Sequence, residues 1–396
     1  MTQQGLGRRE ALALMGAGLA GSSVPSAAQA AGKVRAAPGE PIRIGVLRDY
    51  PAPSANDFGM NSMRIALDAV NAAGGLHGRQ VELVVREVAR SAAGSRDNVA
   101  ASIAVWDQLV HQDQVLGIIG PSTTPPVLAV HDRVERLGVP EIHWAGTERA
   151  WGRWHFQFQA GYFPDEGPAL AYLLAHRGHR RIACIRSEGD YGAHYLGPFK
   201  TAAGPQGLIL AAEIPVPLSS TDLGQAVAAA RASGADAVVA MGLFSLGGLL
   251  AETIRGQGWE VKCYGNFGFA LGAGQGPELR RKLSGWTATD MFDPTNRVAA
   301  DLLDRYQQRY GVRPLTATAG VGYDLVRLML EGVKLAPELT RDGLRQGLEH
   351  VNDLPAATGG AGSRMAFGPN DRLALKGPRL FVFSEITEAG LKLVEL

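Results

Sequence analysis

Cysteine is scarce in this chain, and its two cysteines are not expected to form a disulfide bond. Cys184 and Cys263 lie in the apolar runs RIACI and VKCY, which are predicted to be strands. If these strands belong to one parallel sheet, the run AVVAM should lie between them and separate them by about 9–10 Å, which is too far for a disulfide. We therefore expect two buried thiols.

Net charge and long apolar runs are lacking as well. The formal net charge is +1, which argues against nucleic acid or an anionic membrane as the main partner. No segment approaches the roughly 20 apolar residues that a membrane-spanning helix requires. Because 46% of the 396 residues are hydrophobic, the chain can instead bury two cores, and we expect two lobes of ordinary domain size.

Sequence motifs of catalysis and metal binding are also missing. The nine histidines are dispersed, and the sequence has no HEXXH motif, no paired CxxC motifs and no G-x-S-x-G turn at a strand end. His176 and His179 lie close together at a predicted helix end among arginines, which favours a solvated cap over a metal site. The G-x-G-x-x-G spacing of Gly16–Gly21 follows no strand. We therefore predict no catalytic residue, no metal site and no cofactor.

The first 30 residues have the features of an export signal. Arg8 and Arg9 precede an apolar run from Ala11 to Ala20, and Ala28-Gln29-Ala30 has the small residues of a cleavage site. This pattern predicts a twin-arginine signal that is removed near Ala30, after which the chain should be soluble. The alternative is a disordered tail that happens to be apolar.

The rest of the chain alternates between predicted strands and helices. The apolar runs Ile42–Leu47, Val81–Val85 and Val115–Ile119 are separated by helical segments, which is typical of a parallel sheet. A second set of such runs begins at RIACI and ends at GWTATDMF. The predicted fold class is therefore α/β, with two doubly wound parallel-sheet lobes. Past Pro294 the pattern becomes helical, and the predicted helices are Arg297–Tyr310, Ala317–Leu335 and Thr340–Val351.

A cluster of hydroxyl groups follows the third strand of the first lobe. Ser122, Thr123 and Thr124 lie beyond the carboxyl end of that strand, where open α/β sheets bind their ligands. They also stand at the start of a predicted helix, whose N-terminal amides and dipole favour an anion such as a carboxylate. The structural alternative is that one of these residues only caps the helix that begins near Pro125.

Two stretches of the chain resemble a known protein family. Residues 70–85, VNAAGGLHGRQVELVV, and residues 117–126, GIIGPSTTPP, are similar to periplasmic branched-chain-amino-acid (leucine/isoleucine/valine-type) solute-binding proteins of ABC transporters. The resemblance covers nearly all of the chain after about residue 40. It implies the type I periplasmic binding protein fold, in which a multi-strand hinge lets two lobes close on a small molecule and deliver it to an inner-membrane ABC permease.

The resemblance also implies how the chain is divided and where it acts. We expect an N-terminal lobe of residues 41–160 plus 291–370 and a C-terminal lobe of residues 161–290 plus 371–396. The protein is expected in the periplasm as a monomer. A periplasmic ligand-sensing module with the same fold is the alternative to a transport role.

Further ligand-binding residues are implied by their match to the family. The segment Ala145-Gly146-Thr147 corresponds to a second ligand-binding turn in the first lobe, and Gly146 would let the backbone approach a ligand closely. Tyr191, in the run Gly189–Gly192, corresponds to a tyrosine that lies over the bound ligand. The alternative for Tyr191 is a half-exposed loop residue.

Two positions depart from the family in a way that bears on the ligand. Phe267 and Phe163 stand where the relatives hold the ligand's ammonium group with acidic residues. An unpaired buried ammonium is unfavourable, so we expect a carboxylate with an aromatic or apolar body rather than a branched-chain amino acid. The alternative is amino-acid or amide binding, with Asp165, Glu166 or Glu148 supplying the charge. Six rings are candidates for stacking on a planar ligand or, alternatively, for core packing: Trp144, Tyr162, Phe163, Tyr191, Phe244 and Phe267.

Overall fold

The computed structural model describes residues 35–49, 57–88, 96–158, 163–242, 244–377 and 380–395. The predicted export signal at residues 1–30 and its cleavage near Ala30 lie outside the described residues and stay predictions. Within the described ranges, no helix combines the length and the apolar character needed to cross a membrane.

The first lobe is built on a five-stranded parallel sheet with the strand order β2-β1-β3-β4-β5. Its strands are β1 (Ile42–Arg48), β2 (Val81–Glu87), β3 (Gly117–Ile119), β4 (Glu141–His143) and β5 (His155–Gln157). Its connecting helices are α1 (Phe58–Ala72), α2 (Arg96–His111) and α3 (Thr124–Leu137). The alternation of strands and helices around an all-parallel sheet confirms the predicted doubly wound pattern.

The second lobe is built on a seven-stranded sheet with the order β14-β13-β10-β9-β8-β6-β7. Its strands are β6 (Arg181–Ser187), β7 (Ile209–Val216), β8 (Ala237–Met241), β9 (Lys262–Gly265), β10 (Thr287–Asp290), β13 (Val382–Ile386) and β14 (Leu391–Leu393). Its helices are α4 (Phe163–His176), α5 (Asp190–Ala203), α6 (Gly224–Ala232), α7 (Gly247–Gly256), α8 (Phe267–Gln275) and α9 (Pro277–Lys282). The strands β6 to β10 pair in parallel, whereas β13 and β14 add an antiparallel edge.

Three later helices return to the first lobe. They are α10 (Arg297–Tyr310), α11 (Ala317–Leu335) and α12 (Arg341–Glu349). The bounds of α10 and α11 confirm the predicted helices residue for residue. α11 packs against α1 and α12, and its buried face belongs to the same apolar cluster as β1. A short antiparallel pair, β11 (Leu354–Pro355) and β12 (Arg364–Met365), follows and encloses the loop of residues 356–363.

This topology makes the chain cross between the lobes three times, after β5, after β10 and before β13. Several crossings allow rotation of rigid lobes about short segments, which is the hinge arrangement expected from the sequence. The predicted limits of the two lobes in residue numbers stay predictions.

The two cysteines are free and buried, as predicted. Cys184 lies on β6 and Cys263 on β9, and β8 runs between these strands. Burial raises the pKa of each thiol to about 12, so both stay protonated at neutral pH.

A buried carboxyl group lies where the chain leaves β10 and is hydrogen-bonded to the neighbouring strand β13. Asp290, the last residue of β10, accepts hydrogen bonds from the backbone N–H groups of Met291 (2.7 Å) and Phe292 (3.1 Å). Its second oxygen lies 2.8 Å from the Ser384 hydroxyl on β13. Burial raises the pKa of Asp290 to about 7, although these hydrogen bonds favour the ionised form.

We expect Asp290→Asn to raise stability relative to the wild type as the pH increases. A raised native pKa means that the wild type loses stability between about pH 4, the unfolded pKa, and about pH 7, the native one. Asparagine does not titrate and resembles the protonated acid, so it avoids this loss. Urea unfolding of both proteins at intervals from pH 4 to 8 measures the difference between their unfolding free energies. The contributions of the other titrating groups cancel in this difference. A difference in unfolding free energy that stays constant with pH would contradict the assignment.

Candidate functional site

The hydroxyl cluster lies where two neighbouring strands of the first lobe end. β1 and β3 pair in parallel, with Val46 opposite Ile119. The residues three positions further along each strand, Asp49 and Ser122, therefore meet at the carboxyl edge of the sheet. Gly120 has a φ of 94°, and a Cβ there would clash with the Leu47 carbonyl oxygen. This close approach needs glycine and brings the turn against β1.

The Asp49 carboxylate occupies the predicted anion-binding amides. One oxygen accepts the Ser122 N–H at 2.8 Å, and the other accepts both the Thr123 N–H at 2.8 Å and the Thr123 hydroxyl at 2.5 Å. Asp49 is only 1% exposed. Thr123 is the N-cap of α3, but its hydroxyl makes no capping bond within the helix. The chemistry of the predicted anion site is therefore present, and the anion is part of the chain itself.

The side chains of Ser122, Thr123 and Thr124 are half-buried, and their contact with a ligand stays a prediction.

Sequence reasoning missed Asp49, although a signal was available. Asp49 lies 73 residues before Ser122, so no local motif links the two. Aligning the ends of adjacent parallel strands would have placed them together.

The second predicted ligand-binding turn of the first lobe, Ala145-Gly146-Thr147, is buried, and two side chains hydrogen-bond to its backbone. His143 Nδ1 accepts the Ala145 N–H at 3.2 Å, and Gln157 Nε2 donates to the Ala145 carbonyl at 2.7 Å. The Thr147 hydroxyl accepts the Arg149 N–H at 3.3 Å and so caps the short 3-10 turn that follows. Gly146 lies between them and is also buried. The backbone of this turn is thus fixed without a ligand.

Buried histidines form the base of that turn. His155 Nε2 lies 2.9 Å from a carboxylate oxygen of Glu141, whose other oxygen accepts the Trp106 indole N–H at 2.6 Å. The rings of His143 and His155 meet edge to face at 4.7 Å, and His131 Nδ1 lies 3.1 Å from His155 Nδ1. Burial, reinforced by the neighbouring histidines, holds the pKa of His143 well below its usual value. His143 is therefore neutral and can accept through Nδ1. Among the described residues, no group of three or more His, Cys, Asp or Glu is arranged to hold a metal ion.

Three acids were predicted as alternative partners for a ligand ammonium group: Asp165, Glu166 and Glu148. Of these, Glu166 is the buried one. It lies in the first turn of α4 and accepts hydrogen bonds from the Phe267 N–H and the Thr289 hydroxyl. Burial raises the pKa of Glu166 to about 7. Both hydrogen bonds fall on one carboxyl oxygen, Oε1, which is thus engaged at the N-terminus of α8. Glu148 is exposed, and Asp165 lies half-buried in a separate pocket with Tyr172 and Phe381.

The Phe267 ring is buried rather than presented on an open surface. It is 4% exposed and belongs to the same apolar cluster as Trp144 and the core of the first lobe. The ring therefore links the two lobes, and its contact with a ligand stays a prediction. Phe163 is the first residue of α4, and Tyr191 lies in the first turn of α5. Phe244 begins a 3-10 turn. Their side chains, and all of Tyr162, fall outside the described part, so their predicted roles stay predictions.

A small pocket of about 40 Å³ adjoins the first turn. Arg48, Ser122, Trp144 and Thr318 are among its lining residues. Such a volume holds only a few water molecules. The indole N–H of Trp144 is buried and has no hydrogen-bond partner among the described residues. An acceptor atom is therefore expected beside it when the pocket is filled.

Comparison with known proteins identifies related sequences and folds. A family model described as periplasmic binding protein matches residues 41–375. The fold is similar to a periplasmic binding protein type 1 from Bordetella pertussis Tohama I, with 21% identity and a TM-score of 0.76 over 90% of this chain and 100% of that chain. No curated protein matches the sequence.

Two similar structures come from amino-acid-binding proteins. The branched-chain amino acid transporter substrate binding protein LivJ from Streptococcus pneumoniae, in complex with isoleucine, is 20% identical, with a TM-score of 0.74 over 90% of this chain and 99% of that chain. The leucine binding protein LivK from Thermotoga maritima is 18% identical, with a TM-score of 0.73 over 89% and 98%, respectively. At these identities the likeness shows the fold.

We expect Thr123→Val to lower the free energy of unfolding by about 1–3 kcal/mol, because it removes one hydrogen bond to the Asp49 carboxylate while keeping the side-chain shape. Thr123→Ser retains the hydroxyl and is the matched control, with a smaller loss. Urea unfolding at pH 7 without added solutes measures both. Equal stability of Thr123→Val and the wild type would show that the hydroxyl does not stabilise Asp49.

Proposed function

The chain belongs to the periplasmic binding protein family, and from this premise we propose that it is the extracytoplasmic solute-binding component of an ABC importer. The observation that carries the proposal is the match of the family model to residues 41–375, on a fold of two α/β lobes with three crossings between them. The first-lobe turns at Ser122 and Ala145 lie at the carboxyl ends of parallel strands, the usual place for ligands in such sheets.

The proposed partner is an inner-membrane ABC permease, and the proposed place of action is the periplasm. The export signal predicted at residues 1–30 supports this location. We propose that the protein acts as a monomer. A sensing role for the same fold would need a membrane receptor instead of a permease, and uptake by cells that lack this protein would distinguish the two roles.

We propose that the bound solute has an apolar or aromatic body and is not a branched-chain amino acid. Glu166 supports this view, because it is buried and its Oε1 oxygen is engaged by Phe267 and Thr289 rather than free to bind an ammonium group. Asp49 occupies the amides that a ligand carboxylate would use, which favours an amide of similar shape as the second candidate.

We expect a thermal-shift screen to find ligands among aromatic acids and amides before leucine, isoleucine or valine. A ligand present at 100 times its dissociation constant adds about 2.7 kcal/mol to the free energy of unfolding. Urea and the ordinary amino acids complete the screen. Tight binding of leucine, without a response to benzoate, benzamide or phenylpropanoids, would return the protein to the amino-acid class.

We expect the ligand found by that screen to compact the protein. The crossing segments allow the lobes to rotate as rigid bodies, so closure should lower the radius of gyration of the open form in small-angle scattering. The ligand-free protein is the reference. An open ligand-free form that keeps its radius of gyration at saturating ligand would refute hinge closure.

A further inference from the structure

We infer that Asp49 is a specificity-determining residue, a built-in anion that excludes ligand carboxylates from the amides of Ser122 and Thr123. The ligand would then present a neutral polar group, such as a carboxamide or a hydroxyl, to the first lobe. This inference rests on the proposed function, because it concerns which solutes the binding site admits.

The amides and the Thr123 hydroxyl are fully used by Asp49. Both carboxylate oxygens are engaged, one by Ser122 and the other twice by Thr123. The three donors stand at the N-terminus of the 14-residue helix α3, so the charge is stabilised by direct hydrogen bonds and by the helix dipole. A ligand carboxylate could bind here only after Asp49 had left, and the two anions would use the same donors.

The backbone of Asp49 is held as firmly as its side chain. The Asn98 side-chain amide donates to the Asp49 carbonyl at 2.6 Å, and both residues are 1% exposed. The preceding residue is tied to the sheet by the Val88 N–H, which donates to the Arg48 carbonyl at 2.8 Å. Asp49 is therefore placed on the amides by the surrounding structure and is not a mobile surface side chain.

The nearest arginine already has carboxylate partners. Arg48 lies 2.6 Å from Asp57 and 2.5 Å from Glu87. It is therefore already paired with two acids, and a ligand carboxylate would add a further negative charge beside Asp49. Like charges at short range disfavour each other. Charge therefore acts against an acid at this position.

The pocket beside the turn is suited to a neutral acceptor. Trp144 offers a buried indole N–H without a partner among the described residues, and Ser122 and Thr318 line the same pocket. A carbonyl or hydroxyl oxygen would satisfy the indole N–H without adding charge next to Asp49. This combination of a filled anion site and a free neutral donor gives the ligand class.

Chemical rescue by acetate tests the inference. Asp49→Ala should lower the melting temperature and open the three donors to a small anion. Sodium acetate should then raise the melting temperature of Asp49→Ala in a saturable way, compared with sodium chloride at the same ionic strength. The wild type and the matched control Asp49→Asn, which keeps the site filled without charge, should show no saturable rise.

Two outcomes of this experiment would overturn the inference. One is an acetate response of the wild type as large as that of Asp49→Ala, which would mean that the donors are open to anions already. The other is a folded Asp49→Ala that does not respond to acetate. Failure of the rescue together with normal ligand-induced compaction of the wild type would remove the role of Asp49 and leave the proposed function standing.

A second measurement uses the wild type alone and does not depend on how the variants fold. Calorimetry with the pairs benzoate and benzamide, and 3-phenylpropanoate and 3-phenylpropanamide, should show tighter binding of the amide in each pair. The expected difference is at least about tenfold, which corresponds to 1.4 kcal/mol and to one hydrogen bond with a charged group. Tighter binding of either acid than of its amide would overturn the inference.

Discussion

The parallel pairing of β1 with β3 is the constraint on which the first-lobe site depends. Because Val46 lies opposite Ile119, the ends of the two strands bring Asp49 to the amides of Ser122 and Thr123. A shift of the register by one residue would turn the strand side chains to the opposite faces of the sheet and move the carboxylate off its donors. The site is thus produced by strand register, and the hydrogen bonds of Asp49 in turn hold the start of α3 against β1.

Much of the fold could be predicted because its signals are local. The apolar periodicity of Arg297–Tyr310 and Ala317–Leu335 marked both helices to the residue, and the runs around Cys184 and Cys263 marked two strands with β8 between them. The hydroxyl cluster could be found for the same reason, since its residues are consecutive. Asp49 could not be found in this way, because its partners are 73 residues away and only the pairing of strands joins them.

The second lobe shows a different limit of sequence reasoning. Glu166 and Phe267 were both recognised as positions that bear on the ligand, but their burial depends on how α8 packs against both lobes. The Phe267 amide binds Glu166 while its ring joins the core of the first lobe. A residue at a position predicted to bind ligand can therefore also pack in the core. Aligned residue types alone do not distinguish these two uses.

The two turns of the first lobe share one physical property. Each has backbone groups that are already hydrogen-bonded within the chain, by Asp49 in one turn and by His143 and Gln157 in the other. A site fixed in this way loses little conformational entropy when a ligand binds, so affinity depends on the groups that remain open. A side chain that fills backbone donors, as Asp49 does, leaves those donors closed to a ligand. A ligand that such a site rejects is as informative as one that it binds, because specificity is a difference between two affinities.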